Sequence, residues 1–340
     1  MADRAAGDGP VFVTGGTGVV GGAIVRHLVA TDRPVRALAR SADAAAVLRR
    51  AGAEPVTGDV LDVDSLVAAM GGCAVAYHVA GVNHLCTRDP AGMHRVNVEG
   101  STNCVSAAAR AGLRRIVYTS SAATLGEAKG TVGREDSPHR GWFLSAYERS
   151  KFDAERAAFA LAAREGVELV SLNPSSVQGP GRASGTGKVL VLYLRGRLPV
   201  WPEATISLVD IDDCAAGHLL GETRGRAGER YVLNGATLDT DGLAAAMRQV
   251  APSVGRPKRL PAPVAGVAVT GVEVVARLRG KTPPVCRQAL RALTHGHRYD
   301  GTKAERELGV RYRPVEATLR RTAAWLVEQG LVPPDVARSR

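Results

Sequence analysis

Short apolar runs alternate with amphipathic stretches through the first half of the 340-residue chain, and this alternation constrains the fold more than any other feature. The apolar runs have strand character and lie at 11–14, 34–39, 54–57, 74–79, 115–119 and 167–172. Helical periodicity fills the intervals at 19–30, 42–51, 63–70, 90–111 and 145–165. Such alternation produces a parallel sheet with right-handed crossovers and helices on both faces. The sequence therefore predicts a doubly wound α/β fold.

A glycine-rich turn from Thr14 to Gly21 joins the first predicted strand to the first helix. Gly15 and Gly18 allow a tight turn that can approach a pyrophosphate, and Gly21 lets the helix pack close to the sheet. The helix N-terminus adds unpaired N–H groups and a partial positive charge. In this context the turn predicts a dinucleotide-binding Rossmann fold. The expected cofactor contacts in the turn are Gly15, Thr17, Gly18 and Val19.

The alternating pattern ends after residue 173. We expect two late strands, at 205–209 and 231–233, to return to the sheet. The tail from residue 238 is predicted to be mainly helical. The predicted division is an NAD(P)-binding Rossmann domain of 10–174 plus 205–236, a smaller, mostly helical substrate-binding lobe of 175–204 plus 237–330, and flexible ends at 1–9 and 331–340.

The end of the second strand carries arginines where NAD-preferring folds place an acid for the ribose hydroxyls. Arg40 suits a contact with a 2′-phosphate and the adenine, so we predict NADP(H) over NAD. The alternative is that Arg36 and Arg40 are both ordinary surface charges. Asp59, followed by Val60, ends the third strand and is expected near the adenine. Asp59 is equally compatible with a cap for the following helix.

Tyr147 and Lys151 are spaced one helical turn apart, so the phenol and the ammonium share one helix face. A neighbouring cation favours the phenolate and suits Tyr147 to proton transfer near neutral pH. Ser120 and Ser121 close the fifth strand, where side chains face the crevice at the carboxyl edge of the sheet. Asn97 lies within the preceding helix. It either bends that helix, supports a water relay to Lys151, or is a satisfied buried amide.

The charge and apolar patterns favour a cytoplasmic protein that acts on small molecules. The net charge is +11, but arginines are scattered and only six lysines occur, so no nucleic-acid partner is expected. Residues 1–9 lack the apolar run of a signal peptide. The most apolar stretch, 262–278, is shorter than a bilayer span and contains Glu273. We interpret it as a packed helix rather than a membrane segment, with peripheral membrane contact as the minor alternative.

Five cysteines form an odd set without a C-x-x-C pair, which disfavours a disulfide framework and a zinc site and fits a reducing compartment.

His295 and His297 have no acid or third ligand nearby in the sequence, so no metal site is predicted. Asp210, Asp212 and Asp213 follow a strand and are interpreted as helix caps.

Six ordered motifs, covering roughly residues 10–330, resemble those of the extended short-chain dehydrogenase/reductases. They are the glycine turn, Gly58-Asp59, His78-Val-Ala-Gly81, Tyr118-Thr-Ser-Ser121, Tyr147-x-x-x-Lys151 and Asn173-Pro-Ser-Ser-Val-x-Gly-Pro180. Residues 96–103 and 118–126 are most similar to the dihydroflavonol 4-reductase, 3β-hydroxysteroid dehydrogenase and hopanoid-associated epimerase-like branch.

The resemblance implies roles for named positions. Ser121 becomes the catalytic serine, Tyr147 the acid/base and Lys151 its partner, which also holds the nicotinamide ribose; Asn97 joins this set. The implied nicotinamide-side contacts are Ala80, Gly81, Pro174, Ser175 and Val177. Asn83, Ser121, Trp142 and Tyr147 are the expected substrate contacts.

Departures from the resembling enzymes narrow the chemistry. Sugar-nucleotide dehydratases of this superfamily carry an Asp-Glu pair where this chain has Ala122 and Ala123. Apolar residues at 142–144 and in the expected lid at 189–194 favour a hydrophobic ketone or alcohol. Three functions compete: an NADP(H)-dependent ketone reductase, an NAD-dependent sugar-nucleotide epimerase, and a non-catalytic dinucleotide sensor. A homodimer is one expected assembly.

Overall fold

The computed structural model describes residues 9–183, 185–252, 254–255 and 257–334. Of the predicted flexible ends, residues 1–8 and 335–340 lie outside the described residues, whereas 331–334 are described and Val332 is buried.

Seven parallel strands form the central sheet, which confirms the predicted Rossmann-like α/β fold. In chain order its strands are β1 (Val11–Thr14), β2 (Val35–Ala39), β3 (Glu54–Thr57), β4 (Val75–His78), β5 (Arg115–Thr119), β6 (Glu168–Pro174) and β10 (Arg230–Leu233). Their spatial order is β10-β6-β5-β4-β1-β2-β3. The chain reverses its direction of growth between β1 and β4, and the carboxyl ends on either side of that point border the crevice where such sheets bind ligands.

Helices cover both faces of the sheet. The helices of the first half are α1 (Val19–Val29), α2 (Ala42–Arg50), α3 (Val63–Met70), α4 (Pro90–Arg110) and α5 (Ala146–Glu165). The later helices are α6 (Gly187–Leu194), α7 (Ile211–Arg224), α8 (Thr240–Val250), α9 (Ala262–Leu278), α10 (Arg287–His295) and α11 (Val315–Glu328). One apolar core lies between the sheet and α1 with α7, and a second lies between the sheet and α3, α4 and α5.

One of the two late strands does not return to the central sheet. Residues 230–233 do so as β10, which pairs in parallel with β6. The predicted strand at 205–209 is instead β9 (Thr205–Asp210), which joins β7 (Ser176–Gln178) and β11 (Ala236–Asp239) in a separate three-stranded sheet. A two-stranded sheet of β8 (Val200–Pro202) and β12 (Lys258–Leu260) completes the strands that are described. Apolar alternation identified β9 as a strand but could not identify its partner.

Of the three clustered aspartates, Asp210 confirms the capping interpretation, whereas Asp212 and Asp213 lie in the first turn of α7 and pair with Arg321 and Arg313. Asp210 caps α7 by accepting from the Asp212 N–H at 2.8 Å. The Asp210 carboxylate also accepts from Thr318 at 2.7 Å and Arg321 at 3.2 Å, both on α11. Helix capping and lobe attachment therefore share one carboxylate.

Helix α9 packs less completely than predicted. Ala265, Val269 and Ala276 are buried, but Val267 and Leu278 are 76% and 83% exposed. Among the described residues, no helix combines the length and apolar character needed to cross a bilayer.

Two cysteines are joined by a disulfide, contrary to the sequence expectation. Cys86 lies in the loop after β4, Cys286 precedes α10, and their Cα atoms are 5.6 Å apart. Cys73, Cys104 and Cys214 are buried free thiols. Cysteine count and spacing could not reveal the bridge, because its two halves are 200 residues apart.

Candidate active site

The glycine turn has the geometry that a close backbone approach requires. Gly15 adopts φ +71°, and a Cβ there would lie 2.7 Å from the Ala80 backbone nitrogen. A Cβ on Gly21 would collide with the Gly15 carbonyl. Because α1 begins at Val19 after an uncapped Gly18, its first N–H groups point toward the sheet edge.

These residues fit a bound dinucleotide on structural grounds. Thr17 and Gly18 are exposed at the mouth of the turn, next to the N-terminus of α1, which favours bound anions. On the other side of the crevice, the Ser175 hydroxyl is buried without a hydrogen-bond partner among the described residues. A buried hydroxyl without a partner is costly, so Ser175 is poised for a polar ligand group. Pro174 and Val177 flank it at the ends of β6 and β7.

A buried network that the sequence analysis missed holds the turn against β4. The Thr14 hydroxyl accepts from the Val79 and Ala80 N–H groups at 3.1 Å and contacts His78 Nδ1 at 2.9 Å. His78 Nε2 lies 3.2 Å from the Ser101 hydroxyl. Burial lowers the pKa of His78 to about 3, with a smaller contribution from Lys151, so this imidazole is neutral. The network therefore fixes Ala80 and the neighbouring Gly81 in place without adding charge.

The structure distinguishes the two arginines of β2. Arg36 donates to the Ala69 and Gly71 carbonyls at 3.2 and 2.8 Å, so its role is structural. Arg40 is exposed directly after β2, and within the described residues it has no hydrogen-bond or ionic partner. Of the two, only Arg40 is free to bind a ligand.

Asp59 does not cap helix α3. Its carboxylate accepts from the Leu61 N–H at 2.9 Å within a tight turn. Asp62 is the cap, accepting from the Asp64 and Ser65 N–H groups at 3.1 and 3.2 Å. The Asp59 carboxylate is partly exposed, next to the buried Val60. The contact of Asp59 with the adenine stays a prediction.

Ser121, Tyr147 and Lys151 converge at the carboxyl end of β5. Helix α5 begins one residue before Tyr147 because Ser145 accepts from the Glu148 N–H at 3.1 Å. The Ser121 hydroxyl is close enough to the Tyr147 phenol to lower the pKa of that phenol. Lys151 Nζ donates to the Thr119 carbonyl at 2.9 Å. Local helix geometry and the strand end thus bring together the three predicted groups.

Burial tunes the two titratable groups in opposite directions. Desolvation raises the pKa of Tyr147, and the Ser121 hydroxyl and the Arg182 charge oppose that rise. Desolvation also lowers the pKa of Lys151 to about 8, although Glu155 one turn away opposes it. Both shifts move the groups toward neutral forms in the absence of a ligand.

The buried Lys151 ammonium is expected to lower the stability of the cofactor-free protein. The pKa of Lys151 is about 8 in the folded protein and ordinarily 10.5. The loss of stability caused by the buried charge is therefore complete below pH 8 and disappears as the pH rises toward 10.5. We expect Lys151→Met to raise the free energy of unfolding at pH 7 by about 1–3 kcal/mol. Urea unfolding at pH 7 and pH 9.5 measures this, with exposed Lys129→Met as the control. A variant less stable than wild type at pH 7 would contradict the assignment.

The second serine of the pair serves the core. Ser120 donates to the buried carboxylate of Glu155, which also accepts from Thr124 at 2.7 Å and Asn173 at 2.9 Å. Since this network occupies Ser120, only Ser121 faces Tyr147. The sequence showed two serines, and the structure assigns them different partners.

Asn97 is a satisfied buried amide. Its Oδ1 accepts from the Val82 N–H at 2.7 Å, and its Nδ2 donates to the Val82 carbonyl at 3.1 Å and to Ser150 at 2.8 Å. Asn97 thus joins α4, α5 and the loop after β4. A Cβ on Gly81 would lie 3.2 Å from Asn97 Oδ1, so the amide also limits space beside the ribose position.

The predicted substrate contacts do not form a closed wall. Asn83 is exposed in the loop after β4, and Trp142 is 53% exposed with the Arg140 guanidinium 4.9 Å from its ring centroid. In α6, Leu190, Tyr193 and Leu194 pack into the core of the second lobe with α8 and α11, whereas Val189 and Leu192 are only partly buried.

Arg182 is a site residue that the sequence analysis did not identify. It belongs to the loop before α6, and the charges of Arg182 and Tyr147 influence each other's pKa values. Its Nε is buried without a hydrogen-bond partner in the described part of the chain. Arginines are frequent here, so only the tertiary fold distinguishes this one.

Comparison with known proteins agrees with the fold and the site. Residues 11–233 match the NAD dependent epimerase/dehydratase family. The chain belongs to this family. A putative dihydroflavonol 4-reductase of Synechocystis is 34% identical over 94% of this chain and 95% of its own length. A 4-hydroxy-2-methyl-3-oxo-4-farnesyl-3,4-dihydroquinoline-1-oxide ketoreductase of Stigmatella aurantiaca is 28% identical over 88% and 90% of the two chains.

A solved structure, that of gox2253, is similar over the full fold. It aligns with a TM-score of 0.83 and 31% identity over 96% of this chain and 100% of its own. The family match and the reductase relatives confirm the predicted resemblance to the extended short-chain dehydrogenase/reductases. The chain is therefore an NAD(P)-dependent oxidoreductase that acts on CH–OH groups.

Proposed function

We propose that this family member is an NADP(H)-dependent reductase that interconverts a ketone and a secondary alcohol on a small, fairly hydrophobic substrate. The observation that supports this most is the convergence of Ser121, Tyr147 and Lys151 beside Ala122 and Ala123. The first three supply proton transfer, and the two alanines offer no acid or base for dehydration.

The chain's own residues orient the carbonyl and move one proton. The Ser121 hydroxyl, which neighbours Tyr147, donates to the substrate oxygen and holds it beside the phenol. Tyr147 Oη gives its proton to that oxygen as the alcohol forms, and accepts it in the reverse direction. Lys151, in its ammonium form, stabilises the resulting phenolate and binds the ribose. A dinucleotide held by its pyrophosphate at the glycine turn would supply the hydride from its nicotinamide ring.

The substrate class is supported by the site and by the relatives. The residues next to Ser121 and Tyr147 in the sequence include the apolar Ala122, Ala123 and Phe143, which favours a hydrophobic substrate. The Stigmatella relative is named for ketone reduction on a farnesylated quinoline, which is a hydrophobic substrate. Wholly polar sugar substrates would find fewer partners there.

Arg40 is proposed to select NADP(H), although the family's description mentions NAD. We expect Arg40→Ala to weaken NADPH binding about tenfold to hundredfold and to leave NADH binding nearly unchanged, because only NADPH carries the 2′-phosphate. Fluorescence titration of both cofactors measures the effect. Exposed Arg50→Ala on the neighbouring helix is the matched control. Unchanged NADPH affinity in Arg40→Ala would remove this part of the proposal.

A sugar-nucleotide epimerase is the second candidate, because the family includes epimerases. The two functions differ in net cofactor use. We would follow NADPH oxidation against hydrophobic aromatic, steroidal and polyketide ketones and, in parallel, nucleotide sugars. Turnover of a ketone with stoichiometric NADPH loss supports the reductase. Tightly retained NAD and conversion confined to nucleotide sugars would establish the epimerase instead. The homodimer and the cytoplasmic location both stay predictions.

A further inference from the structure

A buried cluster of one carboxylate and two imidazoles lies outside the proposed catalytic machinery. Glu127 follows the short helical turn after Ser121, and His295 and His297 flank Gly296 at the end of α10. Gly296 adopts φ +78°, which turns the chain so that both imidazoles approach the same carboxylate. The cluster therefore joins the sheet lobe to the second lobe.

The ligand atoms of these three residues are already close together. Glu127 Oε1 lies 2.6 Å from His297 Nδ1 and 3.6 Å from His295 Nε2. All three ligand atoms lie within 4.8 Å of one another. The side chains of Glu127 and His295 are 1% and 4% exposed, and that of His297 is 20% exposed. A His₂-carboxylate set with such spacing can close around one ion with modest side-chain movement.

The second carboxylate oxygen of Glu127 is the observation that points to a ligand. Glu127 Oε2 is buried, and among the described residues it has no hydrogen-bond partner. The nearby Arg140 does not neutralise it, since its guanidinium pairs with Glu148 and donates to the Glu127 carbonyl at 3.2 Å. A buried carboxylate with one unpartnered oxygen is costly unless a cation completes it.

The two imidazoles suit a metal rather than a simple ion pair. His295 Nε2 faces the Glu127 carboxylate at 3.6 Å and the Glu127 carbonyl oxygen at 3.2 Å. A neutral imidazole ligates through one nitrogen and keeps its proton on the other. The Tyr299 hydroxyl lies 2.9 Å from His297 Nδ1, the same nitrogen that faces Glu127, and would give up this contact when the nitrogen binds a metal.

We propose that Glu127, His295 and His297 bind one divalent transition-metal ion, with zinc the best match, and that this ion clamps the end of α10 to the sheet lobe. Water completes the fourth position. The proposal is independent of the proposed reduction, because the clamp lies outside the hydride and proton path. The sequence analysis found no third ligand because Glu127 lies 168 residues from the first histidine.

Cobalt(II) is the probe, because its visible absorption reports coordination. Full-length protein without a histidine tag is treated with EDTA, desalted and titrated first with Co²⁺ and then with Zn²⁺. We expect one equivalent of Co²⁺ to give saturable visible bands that one equivalent of Zn²⁺ removes. Glu127→Gln and His297→Asn are expected to weaken binding about a hundredfold. His94→Asn, an exposed imidazole 2.9 Å from Asp153, is the matched control and should bind like wild type.

Several results would overturn the site. They are the absence of saturable bands, a stoichiometry that Glu127→Gln leaves unchanged, or an equal loss in His94→Asn. Circular dichroism checks folding of each variant. If Glu127→Gln does not fold, the wild-type stoichiometry and the more exposed His297→Asn variant decide the question. None of these readouts depends on enzyme activity, so failure of the reductase proposal would leave this test intact.

Discussion

Tyr147→Phe is expected to lower turnover by about 10²- to 10⁴-fold, because the variant keeps the ring and loses the hydroxyl proposed to transfer the proton. The Ser121 hydroxyl would still bind the carbonyl, and Lys151 would keep its bond to the Thr119 carbonyl at 2.9 Å. Cofactor affinity should therefore change by no more than roughly twofold. Steady-state rates with the best ketone substrate and a parallel NADPH titration measure both quantities.

A second tyrosine provides the control for this prediction. Tyr193 lies in the core of the second lobe, where its hydroxyl is 3.5 Å from the Val254 carbonyl. Tyr193→Phe makes the same chemical change at a distance from the site and should retain turnover. Equal activity in Tyr147→Phe and wild type would refute the acid/base assignment. A parallel loss of NADPH binding would show that the phenol holds the cofactor instead.

Removal of the Cys86–Cys286 bridge is expected to have the largest effect on stability. The bridge spans 200 residues, and the chain-entropy model assigns a loop of that length about 5 kcal/mol of stabilisation. It also ties the loop bearing Asn83 to the start of α10, and Gln288 of that helix accepts from the Ala146 N–H at 2.9 Å. Cys86→Ser with Cys286→Ser should lower the free energy of unfolding toward this limit in denaturant titrations.

Reductant provides the internal control for the bridge. It should destabilise the wild type and leave the double variant unaffected. Thiol titration of the denatured wild type should count three thiols before reduction and five afterwards, because Cys73, Cys104 and Cys214 are free. Five thiols before reduction, in protein purified under air, would show that the bridge does not form in solution.

Much of the fold and the catalytic set could be predicted because their signals are local. Periodicity located the strands and helices of the first half within a few residues, since side-chain direction follows from backbone geometry. The spacing of Tyr147 and Lys151 identifies one helix face without knowledge of any neighbour. The φ of Gly15 follows from the same turn that the motif describes.

Other features depended on partners that are far apart in the chain. Ser120 and Ser121 are adjacent in sequence, yet one donates to a core carboxylate and the other neighbours Tyr147. Strand β9 has ordinary strand character, and only its packing decides which sheet it joins. The apolar α6 fits a lid or a core equally well by composition, and contacts with α8 and α11 place it in the core.

The sequence by itself determined the glycine turn, the one-turn spacing of Tyr147 and Lys151, and the family, because each is encoded within a short stretch or an ordered set of motifs. Tertiary structure alone decided which arginine is free, which cysteines pair, and that Glu127 meets His295 and His297. Those outcomes depend on contacts across 100 or more residues or on the packing around one side chain. Such contacts are set by the mutual packing of elements, which no local pattern records.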